Sequence, residues 1–170
     1  MLTMPDQSFI PNPKGYAINY ATSDIIDQVL SYGIAPNKVQ LGLASYGRGF
    51  ANVNPGKNVN YPGFDQAWSG MSQFDAQYTN QAGLLPYKSV PALMQTAGYK
   101  SYDLKDKLGS ITASYIYNSS TKQLVGYLSK AAVKSHCDYA KSKGLRGAIL
   151  WSMDTDAEGA ESLTQAYSAC

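Results

Sequence analysis

Tyr46, Arg48 and Trp151 are the side chains best suited to chemistry in this 170-residue chain. Tyr46 and Arg48 close an apolar run that starts near Lys38. Trp151 closes a second run, Gly147 to Trp151, about a hundred residues later. Tyrosine and tryptophan rings offer a flat apolar face with a polar tip. A guanidinium donates hydrogen bonds from a rigid fork, to hydroxyls or to a carboxylate. Together they suit a polyhydroxylated, ring-shaped ligand. Two plainer roles compete: a surface ion pair for Arg48 and core packing for Trp151.

Groups for proton transfer are scarce. The glutamates are Glu158 and Glu161, both in or near a terminal helix. Asp154 and Asp156 stand where carboxylates cap a helix start. The single histidine, His136, falls on the inward side of a helical pattern and reads as packing. No Gly-x-Ser-x-Gly elbow, phosphate loop or dinucleotide fingerprint occurs. Gly47 and Gly49 suit a tight strand exit. The two cysteines, Cys137 and Cys170, lack metal-site spacing, so no cofactor is expected.

The elements that must position these side chains follow from periodicity and punctuation. Residues 1–19 carry Pro5, Pro11, Pro13 and Gly15 and read as a loop. A helix is expected from Thr22 to Tyr32, with Ser23 as N-cap, Ile25, Ile26, Val29 and Leu30 on its apolar face, and Gly33 at its end. The near-continuous apolar run from Val39 to Ala44 suits a strand covered on both faces. From Gly49 to about Thr121 the chain is rich in Gly, Asn, Tyr and Pro. A helix from Ser89 to Ala97, a strand from Ile111 to Tyr117 and a turn at Asn118-Ser119-Ser120 leading into Gln123 to Tyr127 make this stretch a small α+β unit. The turn also matches a glycosylation sequon, a pattern short enough to arise by chance. A helix from Ser129 to Lys143 turns Ala132, Val133, His136, Cys137 and Ala140 inward. The strand Arg146 to Trp151 follows, and then a helix from near Glu158 that buries Leu163 and Tyr167.

This is one βαβ crossover with a large insertion, so the two apolar strands are expected to be parallel. Two parallel strands do not complete a domain, because such sheets need more strands and cover on both faces. The chain therefore reads as part of a larger parallel structure. Charged residues make up 15% of the chain and its net charge is +2, without Lys/Arg clusters, so nucleic acid and anionic membrane are not expected partners. No run approaches the roughly 20 apolar residues of a membrane span. The fourteen tyrosines serve equally as β-sheet residues or as sugar-facing rings.

The order of the motifs resembles the end of a glycoside hydrolase family 18 chitinase. Tyr46-Gly47-Arg48 matches the end of that family's seventh barrel strand. Trp151, followed by Asp154 and Asp156, matches the eighth. Gly83 to Tyr87, Tyr115 to Asn118, Gly126-Tyr127 and Lys141 to Ala148 match landmarks of the insertion domain and the approach to the last strand. The resemblance implies an α/β fold: an incomplete TIM-type (β/α)8 barrel, its final two strands and helices, with an inserted α+β domain. Residues 1–48 and 128–170 would be barrel segments and 49–127 the insertion domain. It implies substrate binding by Tyr46, Arg48 and Trp151 at the carboxyl ends of strands. Implied partners are chitin or N-acetylglucosamine oligosaccharides, and a missing amino-terminal barrel half or a second copy of the chain.

The family's Asp-x-x-Asp-x-Asp-x-Glu pattern, source of its proton donor, is absent, as is its sixth-strand pattern. No catalytic residue is therefore assigned, and the chain alone is not expected to hydrolyse chitin. Gln81 and Leu128 stand where acidic residues are common. The alternative is a non-catalytic chitin-binding or interaction module. In the implied barrel the helices bearing Cys137 and Cys170 are neighbours, which leaves two readings: free thiols, or a bridge in an oxidising compartment. The resemblance places the whole protein in a secreted or periplasmic location, with its signal outside this chain.

Overall fold

In the computed structural model, residues 22–73 and 81–168 are described. The loop expected over 1–19 and Cys170 lie outside them. The first helix, α1 (Thr22–Ser31), ends at Gly33, whose φ of +83° closes the last turn through an N–H···O=C bond to Leu30 at 3.0 Å. Ser23 lies inside α1 rather than ahead of it, and its hydroxyl donates to Asp24. Ile26 is the buried member of the expected apolar face.

Pro36 opens a single 3-10 turn, and β1 (Gln40–Ala44) follows. After Ser45 the chain becomes β2 (Tyr46–Phe50). Beyond a long loop come β3 (Leu84–Pro86) and α2 (Val90–Met94), then β4 (Tyr99–Lys105), β5 (Ile111–Asn118) and β6 (Gln123–Tyr127). The last elements are α3 (Lys130–Ser142), β7 (Gly147–Trp151) and α4 (Leu163–Ser168). Helix α3 has the inward face read from sequence, all five residues buried, and Ser129 caps it by accepting from the N–H of Ala132. Helix α2 is shorter than expected: it ends at Met94 rather than Ala97, and the chain turns at Gly98, whose φ is +90°.

The strands form two sheets. β1 and β7 pair in parallel, with Gly42 opposite Ile149 and Ala44 opposite Trp151. The other sheet is antiparallel, in the order β3-β2-β6-β5-β4. Its two faces pack differently. One contributes Ile116, Val125 and Tyr127 to a core shared with α1, α3 and the parallel pair. The other holds Phe50, Ala113, Tyr115, Tyr117 and Leu124 under the loop residues Tyr61, Phe64, Trp68 and Met71. Gly47 in β2 is required by close packing: a Cβ there would lie 2.7 Å from Val125 Cγ1 and 2.9 Å from the Gly126 carbonyl oxygen. The sequon residue Asn118 is buried, and its side-chain oxygen accepts from the N–H groups of Ser120 and Thr121, so it is a turn cap.

The parallel pair departs from expectation in its cover. Leu41, Leu43 and Ala148 are buried beneath α3, but Gln40, Gly42, Ile149 and Trp151 on the opposite face are exposed. The apolar runs that suggested two covered faces are thus served on one face only among the described residues.

Candidate functional site

The site gathers where β1 and β7 end. β1 delivers Ala44 beside Trp151 and passes through Ser45 into β2, whose alternation puts Tyr46 and Arg48 on one half-buried face. The Arg48 guanidinium carbon lies 5.3 Å from the centroid of the Tyr46 ring, a cation–π stack that holds both groups. Among the described residues Arg48 makes no ion pair. Trp151 is 70% exposed, so its ring is not core packing. Tyr46 and Trp151 line one open cavity of about 280 Å³, together with Gly42, Leu43, Ala44, Leu128 and His136.

Among the described residues no carboxylate lines that cavity. Leu128, one of the two departures from the family's common acidic residues, is buried there. His136 touches it but is 1% exposed, with Nδ1 2.8 Å from the Ala132 carbonyl oxygen, one turn back on α3. Asp154 and Asp156 instead border a separate groove with Lys88 and Glu158. Asp156 accepts from the N–H groups of Ala157, Leu163 and Thr164 and from the hydroxyls of Ser162 and Thr164. Burial pushes its carboxyl up, but these donors, the Thr164 hydroxyl foremost, outweigh burial and hold it below the usual carboxylate range. The side chain is an anionic cap on α4. Asp154 is held low by the Ser152 hydroxyl, while its carbonyl accepts from Lys88. Neither is a protonated acid aimed at a ligand. Among the described residues no His/Cys/Asp/Glu group could hold a metal ion, and no helix is long and apolar enough to cross a membrane.

Sequence reasoning missed Ser45. It is fully buried and uses every polar group it has. Its N–H donates to the Trp151 carbonyl at 2.9 Å, and its own carbonyl accepts from Tyr87 N–H at 2.9 Å. Its Oγ lies 2.5 Å from the Ser152 carbonyl oxygen and 2.8 Å from Thr155 Oγ1. A lone serine between two apolar strands gives no sequence signal of this kind, since its side-chain partners are more than a hundred residues away. The peptide between Trp151 and Ser152 is cis. Cys137, buried on α3, is disulfide-bonded.

The family model for Glycosyl hydrolases family 18 matches residues 7–156. Endochitinase 1 of Metarhizium robertsii is 27% identical over 147 residues, which cover 86% of this chain and 30% of that protein. Among solved structures, a class V chitinase mutant from Nicotiana tobaccum in complex with NAG4 superposes with a TM-score of 0.72 at 20% identity, covering 99% of this chain and 42% of that one. The Group II chitinase catalytic domain 2 of Ostrinia furnacalis gives a TM-score of 0.75 at 16% identity, covering 98% and 42%. At such identities the structures speak for the fold, which is of the TIM-barrel type with mixed α and β content. The chain spans about a third or less of the curated relatives it matches.

Proposed function

This chain belongs to glycosyl hydrolase family 18, and we propose that it is the carboxyl-terminal portion of a chitinase, supplying substrate-cleft residues but not the catalytic acid. β1 and β7 are the final two strands of an incomplete barrel, and residues 49–127 are an inserted α+β domain between barrel segments 1–48 and 128–170. The whole enzyme cleaves β-1,4 bonds between N-acetylglucosamine units with help from the substrate's own acetamido group, and it works in a secreted or periplasmic setting. The disulfide at Cys137, with Cys170 as its partner, fits an oxidising compartment.

The observation that carries this reading is the exposed face of the parallel pair. Ile149 and Trp151 alternate along it at 51% and 70% exposure, and Tyr46 and Trp151 share a cavity at the strands' carboxyl ends. Barrel enzymes place their sites at that end, where Trp151 offers a flat face to a sugar ring and Arg48 donates to hydroxyls or to a carboxylate from the missing half. The test is mass spectrometry of products after incubating the pure chain with the N-acetylglucosamine hexasaccharide. Intact substrate is expected, with turnover appearing on co-expression with an amino-terminal barrel half. Cleavage by the chain alone, abolished by a point change within it, would sink the proposal.

A second reading, a non-catalytic module that binds chitin oligosaccharides, is favoured by one feature. The core is continuous across both sheets: Leu41, Leu43 and Ala148 pack in one cluster with Leu85, Ile116 and Val125. Such a core supports independent folding. Tight oligosaccharide binding by the isolated chain, undiminished by supplying a barrel half, would select it.

A further inference from the structure

We propose that Ser45 is a positioning residue for Trp151, acting through the two carbonyls that flank the tryptophan's peptide link to Ser152. The proposal rests on the reading that Trp151 faces a sugar. A ring that is 70% exposed has little packing to hold it. Its direction is therefore set by where the backbone aims its Cα–Cβ bond. Strand pairing with β1 ends at Ala44 opposite Trp151, so beyond that pair the ladder gives no further support.

Ser45 supplies that support. Its N–H takes the Trp151 carbonyl at 2.9 Å. Ser45 Oγ, Thr155 Oγ1 and the Ser152 carbonyl oxygen form a triangle with sides of 2.5, 2.8 and 2.8 Å. Two hydroxyl protons serve its three edges, so the Ser152 carbonyl keeps at least one donor whichever way the hydroxyls turn. The Thr155 N–H also donates to the Ser152 carbonyl at 3.2 Å, and Thr155 Oγ1 accepts from Ser152 N–H at 3.5 Å, which closes the turn after Trp151. Ser45 directly precedes Tyr46, and its carbonyl binds Tyr87 N–H at the end of β3. One buried residue thus ties the tryptophan and the antiparallel sheet together through its backbone, and its hydroxyl adds the Ser152–Thr155 turn to the same geometry. Where support of this kind is loose, a site is present but unproductive.

Two variants and two readouts test this in the intact chain. Ser45→Ala removes one hydroxyl of the triangle. Thr155→Val removes the other at nearly constant volume, and Thr155→Ser restores it. The first readout, without ligand, is the indole N–H signal of Trp151 in 15N–1H spectra, with Trp68 as internal control. Trp68 packs against Phe50, with ring centroids 4.9 Å apart, and should not move. The proposal expects the Trp151 signal to broaden or shift in Ser45→Ala and Thr155→Val, to recover in Thr155→Ser, and to do so without loss of the Trp68 signal. The second readout is binding of the N-acetylglucosamine tetrasaccharide, whose Kd should rise about tenfold in the two hydroxyl-deleting variants. If Ser45→Ala disturbs Trp68 as well, the Thr155 pair decides. A Trp151 signal unchanged by both deletions overturns the proposal. Wild-type protein that ignores the tetrasaccharide overturns the sugar reading instead, and the indole spectra still decide the role of Ser45.

Discussion

The antiparallel and parallel sheets are built from the same chain, share one core, and differ in how much of their need for neighbours is met. The antiparallel sheet is covered on both faces, by α3 on one and by the loop bearing Tyr61, Phe64 and Trp68 on the other. The β4-β5 and β5-β6 pairings are local antiparallel connections, which cost little loop-closure entropy. The parallel pair joins strands about a hundred residues apart and, among the described residues, has cover on one face. Its outward residues, Ile149 and Trp151, are apolar and exposed. The difference teaches where each sheet's stability comes from. One is stabilised by its own local strands and covering loop; the other depends on α3 and, among the described residues, leaves a face exposed.

The largest expected effect lies in the antiparallel sheet. Tyr115 is fully buried, stacks on Tyr102 with centroids 4.9 Å apart, and donates its hydroxyl to the Pro62 carbonyl. Burial pushes its phenol well above the ordinary value. Tyr115→Ala removes the ring that joins sheet to loop and should cost about 3–5 kcal/mol, read from urea unfolding followed by circular dichroism. A cost below about 1 kcal/mol would break the comparison, because the loop would then contribute nothing to the sheet it covers.

A smaller effect sharpens the parallel side, where α4 is held against β7 by the Tyr167 hydroxyl on the Ala148 carbonyl at 2.5 Å and by the Asp156 cap. Asp156→Asn should cost about 1–2 kcal/mol near neutral pH. The sign of its pH dependence follows from the depressed carboxyl. The stabilisation is fully present above the unfolded value of about 4 and is lost as pH falls through the lower folded value. Wild type and variant should therefore converge in stability as the solution is acidified. A difference that stays constant through the acid range would show that the charge of Asp156 is not what holds α4.

The sequence made one sheet easier to see than the other, for physical reasons. β1, β7 and α3 were legible because apolar runs and a 3.6-residue stripe mark buried elements directly. β2 was legible as the bearer of Tyr46 and Arg48 but not as a strand. Gly47 and Gly49 erase its hydrophobic alternation, and the need for Gly47 comes from Val125 and Gly126 in β6. β4 was missed because it is an edge strand whose residues, apart from Leu104, are half-buried or exposed. The roles of Asp156 and His136 were readable from type and position. The role of Ser45 was not, because it exists only once β1 and β7 are side by side.

The smallest expected effect bears on what covers the open face. Ile149 is 51% exposed opposite Gly42, and a side chain added at Gly42 would meet nothing within 4 Å. If the face is open in solution, Ile149→Ser changes stability by no more than about 0.5 kcal/mol, and thermal melts of variant and wild type shift together at every protein concentration. If a second copy of the chain lies on that face, the same change removes buried apolar surface from both partners. The loss then exceeds about 1 kcal/mol and grows with protein concentration, because association stabilises by mass action. The melting series thus separates a face that is open in solution from one already occupied by another copy.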